Sequence, residues 1–402
     1  MRCVRRFISL VTSAVRGRAL PVWFSLVSML VAPAALAAGT RESFDLQVLQ
    51  PPAVVSMEGR SQLTGELHLT NFSKRSLEVV SARVVDAKSG TPLVLLDGRE
   101  LTSGLCRFDP RSDCVPGTTV APGERAFLFV DAALSTQLLA RSIRYEIEYR
   151  AGAGEPMASG PVDAPTSVSS HAVSVDSRPS VLGAPLRGGP WVAVHHPEWP
   201  RGHRRVFYTV DGRARLPGRF AIDWVKADEQ GRIARGDGDR VDAALGYSAD
   251  VLAVADAVVV AVRADMEESP SLSANPDHTL DEAAGNYVVL KLSADRFAIY
   301  EHLRPRSVRV HVGKHVRRGD VIASLGFTGD STGPHLHLHI ADAPSPLGAE
   351  GVAYVFDEFT LLGQYDDLGL LGKAPWVAQN ARLSARRERE WPGFNRVVRF
   401  AP

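Results

Sequence analysis

The sequence predicts an all-β chain of two domains. Three observations carry this: short runs alternating apolar and polar residues, turn clusters of Gly, Pro, Asn, Asp and Ser between them, and no sustained helical period. At 402 residues the chain is too long for one average domain and comfortable for two. With 46 basic and 45 acidic residues the formal net charge is +1, so no nucleic-acid partner is expected on electrostatic grounds.

The chain opens with a basic stretch through Arg18, an apolar run from Pro21, and small residues at Ala35, Ala37 and Ala38. This is the layout of a secretory signal peptide over residues 1–38, cleaved after Ala37 or Ala38, and it predicts a secreted or periplasmic protein with no membrane span after cleavage. The alternative is an uncleaved anchor, for which the run is close to the shortest that can span. Cleavage removes Cys3 and leaves Cys106 and Cys114 in "LCRFDPRSDC". An even pair around a short polar loop in an exported chain predicts a disulfide.

From about 40 to 150 the runs "FDLQVL", "QLTGELHLTN", "LEVVSARVVD", "AFLFVD" and "IRYEIEY" alternate between turn signals such as "AKSGT" and "APGER". The spacing predicts an immunoglobulin-like β-sandwich, with His68 on a solvated strand face. The sandwich shows no acid pair or histidine cluster, which suggests a binding or spacing module. Residues 151–187, rich in Gly, Ala, Pro and Ser, read as a linker with at most one short strand. A second β-rich domain follows over 188–360, with "VLAVADAVVVAV" dense in valine and "NYVVLKLSADRFAIYEHL" patterned as a hairpin. The extension over 361–402 has room for a short helix and a final strand returning to a sheet.

Within the second domain "GPHLHLHI" places His335, His337 and His339 in strict alternation. On a strand all three imidazoles share one face and Leu336 and Leu338 the other, separating a chemical face from a packing face. Neighbours on that face stand about 6.6 Å apart and the outer two about 13 Å, so at most two of the three serve one metal ion. The bland reading is a solvated strand face with no ligand.

"STGPHLHLHI" resembles the signature of the zinc-dependent endopeptidases of the lysostaphin type, the M23 or LytM family, which hydrolyse peptide cross-bridges of bacterial peptidoglycan. The resemblance extends to "AIDWV" at 221–225, "VLAVADAVVVAV", "YEHL" at 300–303 and "VHVGKHVRRGDVIASLGFTGDSTG", in family order, over about residues 203–360. It implies a β-rich LytM/M23 peptidase domain and a Zn2+ cofactor, with His337 and Asp223 as metal ligands. It also implies that His335 and His302 are the catalytic histidines, one a general base and the other a stabiliser of the developing oxyanion. His339 falls where the family usually has an acidic or other polar residue.

One position departs. The family's first motif is HxxxD, and here Arg219 stands four residues before Asp223; a permanently protonated guanidinium cannot be a ligand. Asp211-Gly212 between two strand-forming runs is a hairpin signal that brings His203 opposite roughly Phe220. His203 is therefore the candidate third ligand, ahead of His195 and His196. Arg219 is then left to bind a substrate carboxylate or to pair with an acid such as Asp228.

Two functions follow from the resemblance. One is an exported zinc metalloendopeptidase acting on peptidoglycan peptides. The other is a catalytically degenerate member that binds the cell wall or regulates an enzyme through a protein partner.

Overall fold

The computed structural model describes residues 42–109, 113–134, 141–152, 165–200, 203–380 and 385–402. The expected signal peptide lies outside them. The regular structure of the described chain is almost wholly strand, as its alternation requires, with one α-helix, Gly98–Gly104, among the described residues. No described helix is long and apolar enough to cross a membrane.

The N-terminal half is two facing sheets. One is built on Arg60–Asn71 paired with Arg125–Ala133, the other on Leu77–Asp86 paired with Ser142–Ala151. Leu63, Leu67, Leu69, Leu128 and Val130 from the first sheet share a buried core with Val79, Val84, Ile143, Tyr145 and Ile147 from the second. Cys106 and Cys114 are joined by a disulfide on adjacent strands of the first sheet.

The segment expected to be a linker is partly structured. Thr166–Ser169 and Val173–Ser174 pair with Ser142–Ala151, while Ser180–Leu182 runs parallel to Tyr354–Gln364 in the second domain. Strand formers such as Val168, Val173 and Val181 found open sheet edges despite the small-residue composition around them. The C-terminal stretch likewise belongs to the second domain's main sheet, where Arg386–Glu390 and Arg396–Arg399 both pair with Tyr354–Gln364.

That main sheet has twelve strands. At its centre Ile222–Lys226, Leu336–Ala341 and Arg296–Glu301 lie side by side, all antiparallel. One face buries Ile222, Trp224, Leu336, Leu338, Ile340, Ala298 and Tyr300 in the main core. The other face carries the polar residues.

His68 is buried rather than solvated. Its ring packs edge-on against Phe127 and Phe207, with centroids 4.7 and 5.9 Å away. The outer face of this sheet is covered by Phe207 from the second domain, a contact that local alternation does not encode. Burial first, then the charges of Arg125 and Arg219, push the His68 pKa down to about 4.

Arg219 does not pair with Asp228, whose carboxylate takes the neighbouring Arg232 at 2.7 Å. Arg219 is instead buried between the domains. It meets Glu66 of the sandwich at 2.9 Å and Glu350 at 2.9 Å, and donates to the Gly351 carbonyl at 2.6 Å. Glu66 also pairs with Arg204, which reaches Asp131 at 3.0 Å. The sandwich thus supplies two acids, buried Glu66 and partly buried Asp131, whose arginine partners lie more than 70 residues away in sequence.

Two measurements check these assignments. A histidine whose folded pKa lies below its unfolded value gives its full stability above about pH 6.5 and loses it as the pH falls toward 4. Unfolding free energy should therefore drop by about 1.4 kcal/mol per pH unit across that window on account of His68. His68→Phe should remove that component, and an identical acid slope in the variant would contradict it. Arg219→Met should lower stability by about 3–5 kcal/mol in denaturant unfolding, because it leaves Glu66 and Glu350 buried with fewer partners. A loss below about 1 kcal/mol, as for an exposed ion pair, would show the cluster to be solvated.

Candidate metal centre

Strand register builds the centre of the site. Asp223 pairs directly with His337, and His337 on its other side pairs with Glu301. Directly opposed residues point to the same face, so carboxylate, imidazole and carboxylate form one row across three strands. His335 and His339 flank His337 on that face, as the alternation predicts.

The expected ligands converge. His337 Nδ1 lies 2.9 Å from Asp223 Oδ1, and His203 Nε2 lies 3.1 Å from Asp223 Oδ2. His203, Asp223 and His337 form one group able to hold a metal ion. Ligand atoms about 2.0–2.1 Å from a tetrahedral zinc stand roughly 3.3 Å apart, close to the separations seen here.

His203 arrives as the hairpin signal suggests, though by another geometry. Tyr208–Val210 and Arg213–Arg215 pair around Asp211-Gly212, both at positive φ, but the pairing stops at Tyr208 and Arg215. Two short 3-10 turns, His203–Arg205 and Pro217–Phe220, then meet. The His203 backbone sits against Gly218, where a Cβ would stand 2.5 Å from the His203 carbonyl oxygen. His203 therefore packs beside Gly218, the residue before Arg219. His195 is buried elsewhere, with Nε2 3.1 Å from the Pro392 carbonyl, and His196 stacks on Trp199.

His335 and His302 stand next to this group with ring centroids 4.8 Å apart. The His335 Nδ1–H donates to the Gly333 carbonyl at 2.7 Å, which turns Nε2 toward Asp223 at 3.2 Å. The His302 Nδ1–H donates to the Thr328 carbonyl at 2.8 Å, which leaves Nε2 for the site. His302 has φ +59°, the left-handed region. That bend breaks strand alternation, so consecutive residues Glu301 and His302 both face the site.

The electrostatics show what the donor set lacks. Nitrogen lone pairs and carboxylate oxygens face one another, and without a positive charge between them acceptors would oppose acceptors. In the metal-free chain protons take that role. Burial pushes His337 down, but Glu301 and Asp223 outweigh it and hold its pKa up at about 9. His335 is also raised, since the Asp223 charge and hydrogen bond overcome burial. Burial pushes Asp223 up, yet the facing His203 and His335 hold it well below the usual carboxylate range. A cation bound among these atoms satisfies the same lone pairs, so the residues fit a metal ion.

Two contributors escaped sequence reasoning. Glu301 lies 3.6 Å from His339 Nδ1 and 4.0 Å from His337 Nε2. Its signal was its place beside His302, but alternation would have turned it away. Glu66 had no local signal at all. The site opens into a cavity lined by His203, Asp223, Glu301, His302, His335 and His337.

The sequence profile of peptidase family M23 matches residues 238–348. That span includes His302, His335 and His337 and begins after Asp223. The peptidoglycan DD-endopeptidase ShyC of Vibrio cholerae is 45% identical over 53 residues, 13% of this chain and 12% of the relative. An uncharacterized metalloprotease of Haemophilus influenzae is 43% identical over 67 residues, 16% of this chain and 14% of the relative. The chain thus matches about one seventh or less of the length of either relative. Among solved structures, the catalytic domain of lysostaphin from Staphylococcus simulans aligns at 17% identity over 41% of this chain and 88% of that one, TM-score 0.22. A zinc-containing peptidase from Vibrio cholerae aligns at 14% identity over 77% and 84%, TM-score 0.25. Residues 238–348 of this chain are thus similar to peptidase family M23.

Proposed function

We propose that the protein is an exported zinc metalloendopeptidase that hydrolyses peptide bonds in peptidoglycan stem peptides or cross-bridges. The observation that carries the reading is the completed donor set. Arg219 removes the family's first ligand from its usual place, and His203 restores an imidazole beside Asp223 at 3.1 Å. A degenerate, regulatory domain has no need of that replacement.

His203, Asp223 and His337 would hold the ion. When bound, zinc supplies Lewis acidity, lowering the pKa of a water and polarising the scissile carbonyl. His302 and His335 each commit Nδ1–H to a backbone carbonyl, so both act through Nε2. A neutral imidazole accepts a proton at Nε2 and a protonated one donates from it, so the pair offers a general base and a stabiliser of the developing oxyanion on the same side of the ligands.

A long groove beside His335, lined by Lys226, Arg232, Arg235, Leu272, Thr332 and Leu371, gives an extended peptide room to lie across the site. The export reading rests on the N-terminal sequence pattern and predicts a periplasmic or secreted enzyme.

Purified mature protein should contain one zinc per chain and release peptide fragments from purified peptidoglycan, detected by mass spectrometry. His337→Ala and Asp223→Ala should each abolish bound zinc. His302→Ala and His335→Ala should retain it while kcat falls by about 10²–10⁴. A parent chain that stays zinc-free after metal is supplied would overturn the enzyme and favour the regulator. Full hydrolysis by His337→Ala would overturn that ligand.

A further inference from the structure

The third ligand is attached to the wrong domain. His203 projects toward Asp223 and His337 of the main sheet, yet the residues that follow it are seated in the N-terminal sandwich. Arg204 is buried and donates to the Gly65 and Val130 carbonyls, both at 3.3 Å, besides its ion pairs with Asp131 and Glu66. Arg205 is buried too, donating to the Ser103 carbonyl at 2.8 Å, with its guanidinium 5.1 Å from the centre of the Phe129 ring. Phe207 completes the seat, 4.8 Å from Phe127, in a cluster with Phe129 and the Cys106–Cys114 disulfide.

We propose that the sandwich is a structural part of the metal centre, and that Arg204, Arg205 and Phe207 are positioning residues that hold His203 at the ion. The inference rests on the reading of His203 as a ligand. Its physical basis is that a short 3-10 turn has no sheet partner to fix it. His203–Arg205 pairs with no strand, and on the main-sheet side Gly218 only provides clearance. Apart from Arg205 Nε donating to the Pro197 carbonyl at 2.7 Å and the imidazole's own contact with Asp223, the directional contacts of this turn come from the other domain. The sandwich is thus coupled to metal affinity, and a change in how the domains dock is felt first at the third ligand.

The test measures zinc affinity by chelator competition on the full chain, with thermal melting of the metal-free form as a control. Phe207→Ala removes the apolar seat. Arg204→Met combined with Asp131→Leu removes the charged anchor while keeping the volume filled, so the fold is retained. Each should weaken zinc binding about 10- to 100-fold, the range seen when a residue supporting a ligand is lost. Each is then repeated on His203→Ala, where it should cost no further affinity, because the residue being positioned is already gone. Arg83→Gln, at a sandwich ion pair with Glu148 away from this seat, should leave affinity unchanged.

Equal losses in the parent and His203→Ala backgrounds would overturn the proposal, since they would mean general destabilisation. Unchanged affinity in both anchor variants would overturn it while leaving His203 as a ligand. A parent that binds no zinc, or a His203→Ala chain that binds it as tightly as the parent, would overturn the ligand reading itself and the inference with it.

Discussion

The site depends on one register, the pairing of Asp223 with His337 across two antiparallel strands of the main sheet. Because side chains alternate, a slip of one residue would turn every member of the polar row into the core and every core residue out of it. The register is fixed from the opposite face. Trp224, Leu336, Leu338 and Tyr300 are fully buried there, and an apolar side chain of that size contributes about 1.5–3 kcal/mol when buried. Packing that never touches the metal centre therefore keeps its carboxylates and imidazoles aligned.

The junction between the domains is organised around Arg219. A histidine four residues before Asp223 could be both ligand and strand residue. Arg219 can be neither ligand nor solvated side chain once Glu66 and Glu350 close around it. A buried guanidinium needs its charge and its fork of donors matched, and only acids arriving from both domains do so here. Glu66 then serves Arg204 as well, and Arg204 follows His203 directly in sequence. Arg219 and the arginine that follows the candidate ligand His203 thus meet on one carboxylate.

What the sequence disclosed was whatever repeats with a local period. Strand alternation gave the all-β class, Asp211-Gly212 the hairpin, the cysteine spacing the disulfide, and "HLHLH" the chemical face. The candidate residues His302, His335, His337, Asp223 and His203 were picked out by resemblance and turn, and they lie side by side in the structure. Features set by distant partners were not legible. His68 looks solvated until Phe207 covers it, and Arg219 pairs with acids 131 and 153 residues away. Glu301 was hidden for a local reason, since a single left-handed residue at His302 reverses the face that alternation predicts.

The surroundings of His337 obey a similar logic. A metal-bound imidazole needs a partner on its other nitrogen to fix its tautomer and ring plane. With Nδ1 of His337 directed at Asp223, that nitrogen is Nε2, and it faces His339 Nδ1 at 3.1 Å. Burial, and then the charges of His337 and His203, hold His339 well below the usual imidazole range. A neutral His339 presents a lone pair that accepts the His337 Nε2–H. The Glu301 carboxyl on the adjacent strand, whose pKa burial pushes up, lies 4.0 Å from the same nitrogen. The polar groups around His337 thus come from three different strands, which a metal centre tolerates because it senses where atoms are and not which strand carries them.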